Sequence, residues 1–450
     1  MANKKKTQEK QKKKSSVRHT RAVQRDRSKR PLVAPPDEKI SARLTELMHP
    51  AALAQRRFYR ELGLRERDLP LLVMVAIVIS MIWRQIGGGG TEIARLLGTE
   101  GLLWVPVMQV TQQAVSERLR IFPPILFLRI LWSILPILHE RWQARQRPLP
   151  PALEWARQRY ADVLLVDGCT LDALLRKVGL LRDTETNPLA GRMTAVLSLC
   201  SVLPRYLWFE EDAQAHDQRC WPKILAALPA GVLLIFDLGY TNFKVFAQLT
   251  AAQVTWITRA KSNLSYQVER YLLRTAQVHD LLIWMGSGED RQLVRLVKVL
   301  YKGKWYTYLT NELDPEQLPT AYVVALYRQR WRIEDAYHIV KRVLGLAYFW
   351  TGSQYGVELQ VWATWILYAV LVDLTDAVAE ALDRPFADLS LEMVYHSLYY
   401  FAHAYHRGKA SDPVAYLAAN AVWLGIIKRK RKHRCSPLKE LLHLTNPNGP

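Results

Sequence analysis

Two short runs, Val163-Leu164-Leu165-Val166 and Val232-Leu233-Leu234-Ile235-Phe236, are apolar at every position, and each ends on an aspartate, Asp167 and Asp237. Unbroken apolar runs of this length, rich in β-branched residues, are the pattern of buried strands. Such strands need helices packed against them, which commits the chain to an α/β class. An acid at the end of a buried strand is held rigidly yet stays within reach of solvent. A single aspartate in that place is ordinarily a turn or helix-cap residue. Two in the same setting ask whether a third acid completes them.

The stretch Tyr327-Arg-Gln-Arg330-Trp-Arg-Ile-Glu334-Asp-Ala-Tyr-His-Ile-Val-Lys341 supplies one. Tyr327, Arg330, Glu334 and Lys341 follow at spacings of three, four and seven. On one regular helix turning ~100° per residue they fall within roughly 60° of one another, on a face roughly 21 Å long. Taken alone, a helical Glu-x6-Lys pair is a solvated face. With the two strand-end aspartates it becomes a basic, aromatic face carrying one carboxylate. An oxygen-only site of two or three carboxylates suits Mg²⁺ or Mn²⁺, the ions that serve in-line attack on phosphorus.

The combination Asp167, Asp237-Leu-Gly239-Tyr240 and Tyr327-x2-Arg330-x3-Glu334-x6-Lys341 resembles the DDE signature of cut-and-paste bacterial transposases of the insertion-sequence-four type, over about residues 160 to 375. The resemblance implies an α/β, ribonuclease-H-like catalytic domain interrupted by a β-rich insertion. It implies that Asp167, Asp237 and Glu334 are catalytic and hold two Mg²⁺ or Mn²⁺ ions. Arg330 and Lys341 would contact phosphates near a cleaved DNA end, with Tyr327 packing or bonding beside them. Its partners would be double-stranded DNA, both terminal inverted repeats and target, and a second copy of the chain in a homodimer. Each transesterification conserves phosphodiester bonds, so no nucleotide cofactor is expected. The other readings are a domesticated metal-dependent nuclease or recombinase, and a DNA-binding repressor that keeps the acids as relics.

Charge agrees with a polyanionic partner: the 450 residues carry a net +21 and a pI near 9.8. Residues 1–30 hold thirteen Lys or Arg against Glu9 and Asp26 and hardly any apolar side chains. They cannot bury a core and are expected to be a disordered basic tail, a role that a mere solubility tail would share. A second basic cluster runs from Lys428 to Arg434.

Domain boundaries follow the prolines: Pro31, Pro35 and Pro36 close the tail, and Pro148, Pro150 and Pro151 lead into the first strand. Residues 31–150 are expected to be a helical DNA-binding domain. Thr91 to Gly98 resembles the first helix of a helix-turn-helix, and Thr111 to Arg120 its recognition helix, with Gln112, Gln113, Ser116 and Arg120 as groove-reading groups. The connection from Gly98 to Thr111 is longer than the usual turn, so a loop is expected to split the pair. The catalytic domain spans 151–375, and residues 376–450 are a helical C-terminal region with a basic tail.

Within the catalytic span, Val254 to Thr258 reads as the next core strand, followed by Arg259 and Lys261 as phosphate contacts. Residues 265–315 alternate in short β-like runs, including Leu293 to Leu300 and Lys304 to Tyr308. By resemblance to the family's insertion, Trp305 is the candidate to receive a flipped base, with Trp284 and Trp256 behind it; packing of the insertion explains these rings equally well.

Other classes are disfavoured. Cys169, Cys200, Cys220 and Cys435 show neither C-x-x-C spacing nor a secretory context, which fits a reducing cytoplasm and a nucleoid-associated protein without membrane partners. The apolar stretches Leu69 to Trp83 and Leu359 to Val372 are shorter than a membrane span and read as buried helices. Gly87 to Gly90 and Gly286-Ser-Gly288 lack the context of a nucleotide-binding loop. His396, His403 and His406 sit among tyrosines and read as packing rather than as metal ligands.

Overall fold

The computed structural model describes residues 38–429 apart from 68, 85, 87–88, 173–188, 213–214, 347–348 and 352. The expected N-terminal tail, and residues 430–434 of the C-terminal cluster, lie outside the described residues. Among the described residues seven helices come first: α1 (Glu38–Leu53), α2 (Arg56–Glu61), α3 (Leu71–Trp83), α4 (Gly89–Thr99), α5 (Gln112–Ile121), α6 (Ile125–Ala144) and α7 (Pro151–Arg157). The last follows directly from the proline cluster, with Pro151 at its first turn, where a missing N–H costs nothing.

Among the described residues the mixed α/β part is built on nine strands: β1 (Val163–Asp172), β2 (Leu189–Ser198), β3 (Pro204–Glu210), β4 (Leu233–Phe236), β5 (Thr255–Arg259), β6 (Tyr266–Arg274), β7 (Val278–Met285), β8 (Gln292–Tyr301) and β9 (Lys304–Thr310). They form one sheet in the order β3-β2-β1-β4-β5-β9-β8-β7-β6. β1, β2 and β3 pair antiparallel, whereas β1, β4 and β5 are parallel neighbours. Helices α8 (Trp221–Ala227) and α9 (Phe243–Ala251) stand between β3 and β5 in sequence. The strands of the expected insertion extend this same sheet, joined through β9 to β5 by three residue pairs, Ile257 with Thr310, Thr258 with Leu309 and Arg259 with Tyr308.

The two-residue period of the strands divides the core. Val163 and Leu165 of β1, with Leu233 and Ile235 of β4, face one core shared with the helices on both sides of the sheet in sequence. Leu164, Val166, Leu234 and Phe236 face a second, smaller core completed by Trp221, Ile224 and Phe246 of α8 and α9. Both faces are therefore dry, which is why the runs are apolar throughout. Trp256 of β5 is wholly buried in the second core against Phe246, 4.3 Å between centroids, so it is a core residue and does not stand behind Trp305.

The C-terminal half adds α10 (Thr320–Arg328), α11 (Trp331–His338), α12 (Gln354–Ala381), α13 (Leu391–His406) and α14 (Pro413–Ala419). α12 is long and apolar enough to cross a membrane, but it runs through the larger core, packed against α3, α5 and α6. The N-terminal helices share that core with residues of β1 and β4. Their register against α12 is set by charge: Arg145 Nη2 reaches Asp373 at 2.7 Å, its Nη1 reaches Asp376 at 3.1 Å, and Arg147 also pairs with Asp376.

A second buried ion pair fixes the approach to the site. Arg295 of β8 and Asp280 of β7 are both essentially inaccessible. Arg295 donates from Nε and Nη2 to the two Asp280 oxygens at 2.8 and 2.6 Å, and from Nη1 to the Leu318 carbonyl at 2.6 Å. Thr320, the first residue of α10, donates to the same carboxylate at 2.6 Å. The insertion strands thus anchor the start of the helices that carry Arg330 and Glu334. Removing one partner of such a pair strands a buried charge. Arg295→Met should therefore cost about 3–5 kcal/mol in chemical denaturation, and Arg295→Met with Asp280→Leu should recover much of it; a single variant as stable as wild type would refute this anchoring role.

Candidate active site

Asp167 lies on β1 and Asp237 directly follows β4, and the adjoining residues Val166 and Phe236 are register partners in the parallel pair. By the alternation of each strand, Asp167 and Asp237 share the face of Leu165 and Ile235, toward α11. Each carboxylate is steadied by the next backbone N–H: Gly168 donates to Asp167 Oδ1 at 2.8 Å, and Leu238 to Asp237 Oδ1 at 2.6 Å. Arg330 meets them. Its Nη1 lies 3.4 Å from Asp167 Oδ2 and its Nη2 2.8 Å from Glu334 Oε1. Glu334 is more open than Arg330, its side chain 37% exposed against 10%.

The electrostatics follow from that crowding. Burial pushes the Asp167 carboxyl up to about 6; Arg330 and the Gly168 N–H oppose the shift, while Asp237 and Asp217 add to it. Burial works against the Arg330 charge, yet Asp237, Tyr327, Asp167 and Glu334 together raise its pKa above the ordinary value. Among the described residues, no three acidic, histidine or cysteine side chains stand close enough as they are to hold a metal ion. The donors themselves are all carboxylates, the set a hard divalent cation requires. Arg330, bonded to two of them, supplies the positive charge in this state.

The single helical face expected for Tyr327, Arg330, Glu334 and Lys341 is divided. α10 ends at Arg328, and the next turns are tight: Gln329 and Arg330 donate to Leu326 and Tyr327, and Ile333 donates back to Arg330, each across three residues. After α11 the chain widens into a π turn over Ile339–Val343, where Leu344 N donates to Ile339 O at 2.8 Å. Arg330 and Glu334 remain together. Tyr327 is buried, with its ring 5.2 Å from Tyr308, and burial pushes its hydroxyl pKa up. Lys341 turns to β1, where Nζ donates to the Thr170 carbonyl at 2.9 Å.

These helices also clamp Asp167 from behind. The Tyr337 hydroxyl donates to the Asp167 carbonyl at 2.6 Å and accepts from Ala195 N at 3.2 Å, entering the ladder between β1 and β2. The spaced motif gave no sign of Tyr337. Asp217 and Arg192 were also missed. Their ion pair stands against Gly168 and Gly239, which follow the two acids in the chain. No spacing rule links Asp217 to the motifs, so only the folded chain brings it there.

The remaining expected residues are spread more widely. Arg259 stands half-buried opposite Tyr308 in the β5–β9 seam, its guanidinium over Tyr306 at 5.7 Å, and Lys261 is exposed beyond it. β9 runs antiparallel to β5, so Trp305 projects past the same sheet end as the acids; it is 37% exposed and lies 4.9 Å from His279. Trp284 is tied by Nε1 to Glu269 at 2.8 Å. α4 and α5 pack together and the expected loop does separate them. Thr111 caps α5 by accepting from Ala114 N at 3.1 Å; Gln112, Gln113 and Arg120 are exposed, and Ser116 is half-buried near Gly90.

The family described as "Transposase DDE domain" matches residues 192–369, a span holding Asp237, Tyr327, Arg330, Glu334 and Lys341. Residues 192–369 are thus similar to a transposase DDE domain. Asp167, on the strand before, lies outside the matched span. The transposase-named protein y4zB of Sinorhizobium fredii (strain NBRC 101917 / NGR234) is 29% identical over 171 residues, covering 36% of this chain and 47% of that protein. The chain thus spans about half the length of the curated relative it matches. A cryo-EM structure of the piggyBac transposase synaptic complex with hairpin DNA aligns over 90% of this chain and 86% of its own at 12% identity and a TM-score of 0.36.

The buried carboxylate of Asp167 works against stability. With its folded pKa raised to about 6, Asp167 favours the native state most when protonated, and that stabilisation is lost as pH rises through 6. In divalent-free buffer, Asp167→Asn should therefore raise stability by about 1–3 kcal/mol at pH 7.5 and by little at pH 4. Thermal melting at the two pH values measures it; a variant less stable at pH 7.5 would contradict the assignment.

Proposed function

We propose that this protein is a DNA transposase of the cut-and-paste kind, cleaving transposon ends and joining them to target DNA. The observation that carries the reading is the meeting of Asp167 and Asp237, from adjacent parallel strand ends, with Arg330 and Glu334 at the start of α11, largely within the span similar to a transposase DDE domain. The strand order β3-β2-β1-β4-β5, antiparallel then parallel, supports a ribonuclease-H-like catalytic core. Members of such a family use divalent metal ions, and Asp167, Asp237 and Glu334 are the residues that would hold two Mg²⁺ or Mn²⁺ here. When bound, the cations neutralise charge developing on phosphate oxygens.

The chain's own groups do the rest. Arg330, already balanced between Asp167 and Glu334, exchanges those bonds for a phosphate oxygen, and this exchange frees both carboxylates. Lys341 stands against β1 at Thr170, three residues past Asp167, and Arg259 and Lys261 extend cationic surface along β5. Trp305 offers an exposed ring past the same end of the sheet for stacking on an unpaired base. Gln112, Gln113, Ser116 and Arg120 would read the end sequence from α5. Two copies would hold two ends, one at each site.

Asp237→Asn and Glu334→Gln should each lower metal-dependent excision from a plasmid carrying the DNA that flanks this gene by at least ~10²-fold. Binding of end DNA should change only a few-fold. Cleavage at the wild-type rate in both variants would refute the assignment, and binding without metal-dependent breaks in the wild type would mark a DNA-binding protein instead.

A further inference from the structure

Strands β6 to β9 form a wing beyond β5, and a row of rings and cations crosses one face of it. By the two-residue alternation of each strand, His279 shares the face of Leu281, Lys298 that of Leu296 and Trp305 that of Leu309, and all three leucines belong to the smaller core. Tyr271 is the register partner of Leu281 and Arg274 that of His279, so both stand on this face too. The side chains touch in series. Between ring centroids, Trp305 lies 4.9 Å from His279, and His279 lies 6.4 Å from Tyr271. Lys298 Nζ sits 5.7 Å from the Trp305 centroid, and the Arg274 guanidinium 5.0 Å from that of Tyr271. Trp305 and Tyr271 stay 37% and 42% exposed, so packing does not use up their faces.

The four strands contain two acids, and both are engaged elsewhere: Asp280 turns to the other face, bonded to Arg295, and Glu269 accepts from Trp284 Nε1. The row is therefore aromatic, cationic and free of carboxylates, the combination that holds bases by stacking and phosphates by charge. It begins at the sheet end where Asp167 and Asp237 stand and runs outward from β9 to β6, on the face away from α11. We propose that this row is a track for an unpaired DNA strand, which passes from the acids over the sheet end and stacks on Trp305, His279 and Tyr271, with Lys298 and Arg274 on its phosphates. At ~3.4 Å per stacked nucleotide the track takes about three bases. Paired bases hide their faces within the duplex, so double-stranded DNA gains only the charge contacts. The inference rests on the proposed action on DNA; it adds a path through β6 and β7, two strands that carry none of the groups assigned to cleavage.

Fluorescence anisotropy of the full-length protein with a labelled oligothymidylate, and with a duplex of equal length, tests the track apart from cleavage when both are measured in EDTA. Tyr271→Ala with His279→Ala should weaken single-strand binding about ten-fold or more and duplex binding less than about two-fold, with thermal melting checking the fold. Tyr271→Ala alone, at the more exposed position, should lose about five-fold on the single strand and serves if the double variant does not fold. Tyr271→Phe keeps the ring and should bind as wild type does. Equal losses on both forms of DNA in a folded variant would overturn the proposal, because the face would then contribute charge without stacking. A Tyr271→Phe defect as large as that of Tyr271→Ala would overturn it too. So would unchanged single-strand affinity, and loss of self-association on sedimentation in the same variant would then assign the face to a second copy. Each of these leaves the DNA reading standing while the wild type binds the duplex; a wild type that binds neither form would bring down both.

Discussion

Carboxylates gathered at the end of a buried sheet repel one another, and in this protein a single guanidinium offsets the repulsion. Arg330 is itself largely buried, so its charge is tolerable only because Asp237, Asp167 and Glu334 surround it. The dependence is mutual: the acids need the cation to stay near one another, and the cation needs the acids to stay charged. A site balanced in this way is stable without metal yet ready to exchange one positive partner for another. That readiness requires stiff supports, since a loose site would relax by moving the acids apart.

The supports come from both sides of the sheet. On one face, Tyr337 and Lys341 bond the backbone of β1 at Asp167 and Thr170, so the strand end cannot fray. On the other, Gln218 and Trp221 hold the segment after Asp237. Farther out, α12 crosses the larger core and is keyed to the N-terminal helices by Arg145 and Arg147 with Asp373 and Asp376. The helices expected to read DNA ends are thus packed on the same frame as the acids and Arg330, with no free linker between them among the described residues.

The strand-end acids and the Arg330–Glu334 pair were legible in the sequence because each depends on a local rule: apolar runs for strands buried on both faces, and a four-residue step for neighbours on a helix. Strand parity, once the runs are recognised, also sends Asp167 and Asp237 to a common face. The break after Arg328 and the π turn at Ile339–Val343 were not legible. Both re-space the helix to satisfy bonds with β1, a partner well over a hundred residues away in sequence. Trp256 and Tyr327 look like available aromatics in the chain, yet burial claims both. Asp217 and Arg192 illustrate the same limit, since their place beside the acids depends on how β2 and the turn before α8 fold across the sheet end.

The seam between β5 and β9 is only three residue pairs long, yet it joins a four-stranded wing to the strands that carry the acids. Arg259 occupies its last pair, level with the end of β4. A load applied to the wing tip near Trp305 passes into the rest of the protein through this seam, through the Arg295–Asp280 anchor at the start of α10, and through Gln292, whose Nε2 donates to the Phe243 carbonyl at the start of α9. Mechanically the wing is a lever with its fulcrum at Arg259, and any strain a bound polymer imposes on it is delivered to the end of the sheet where the carboxylates stand.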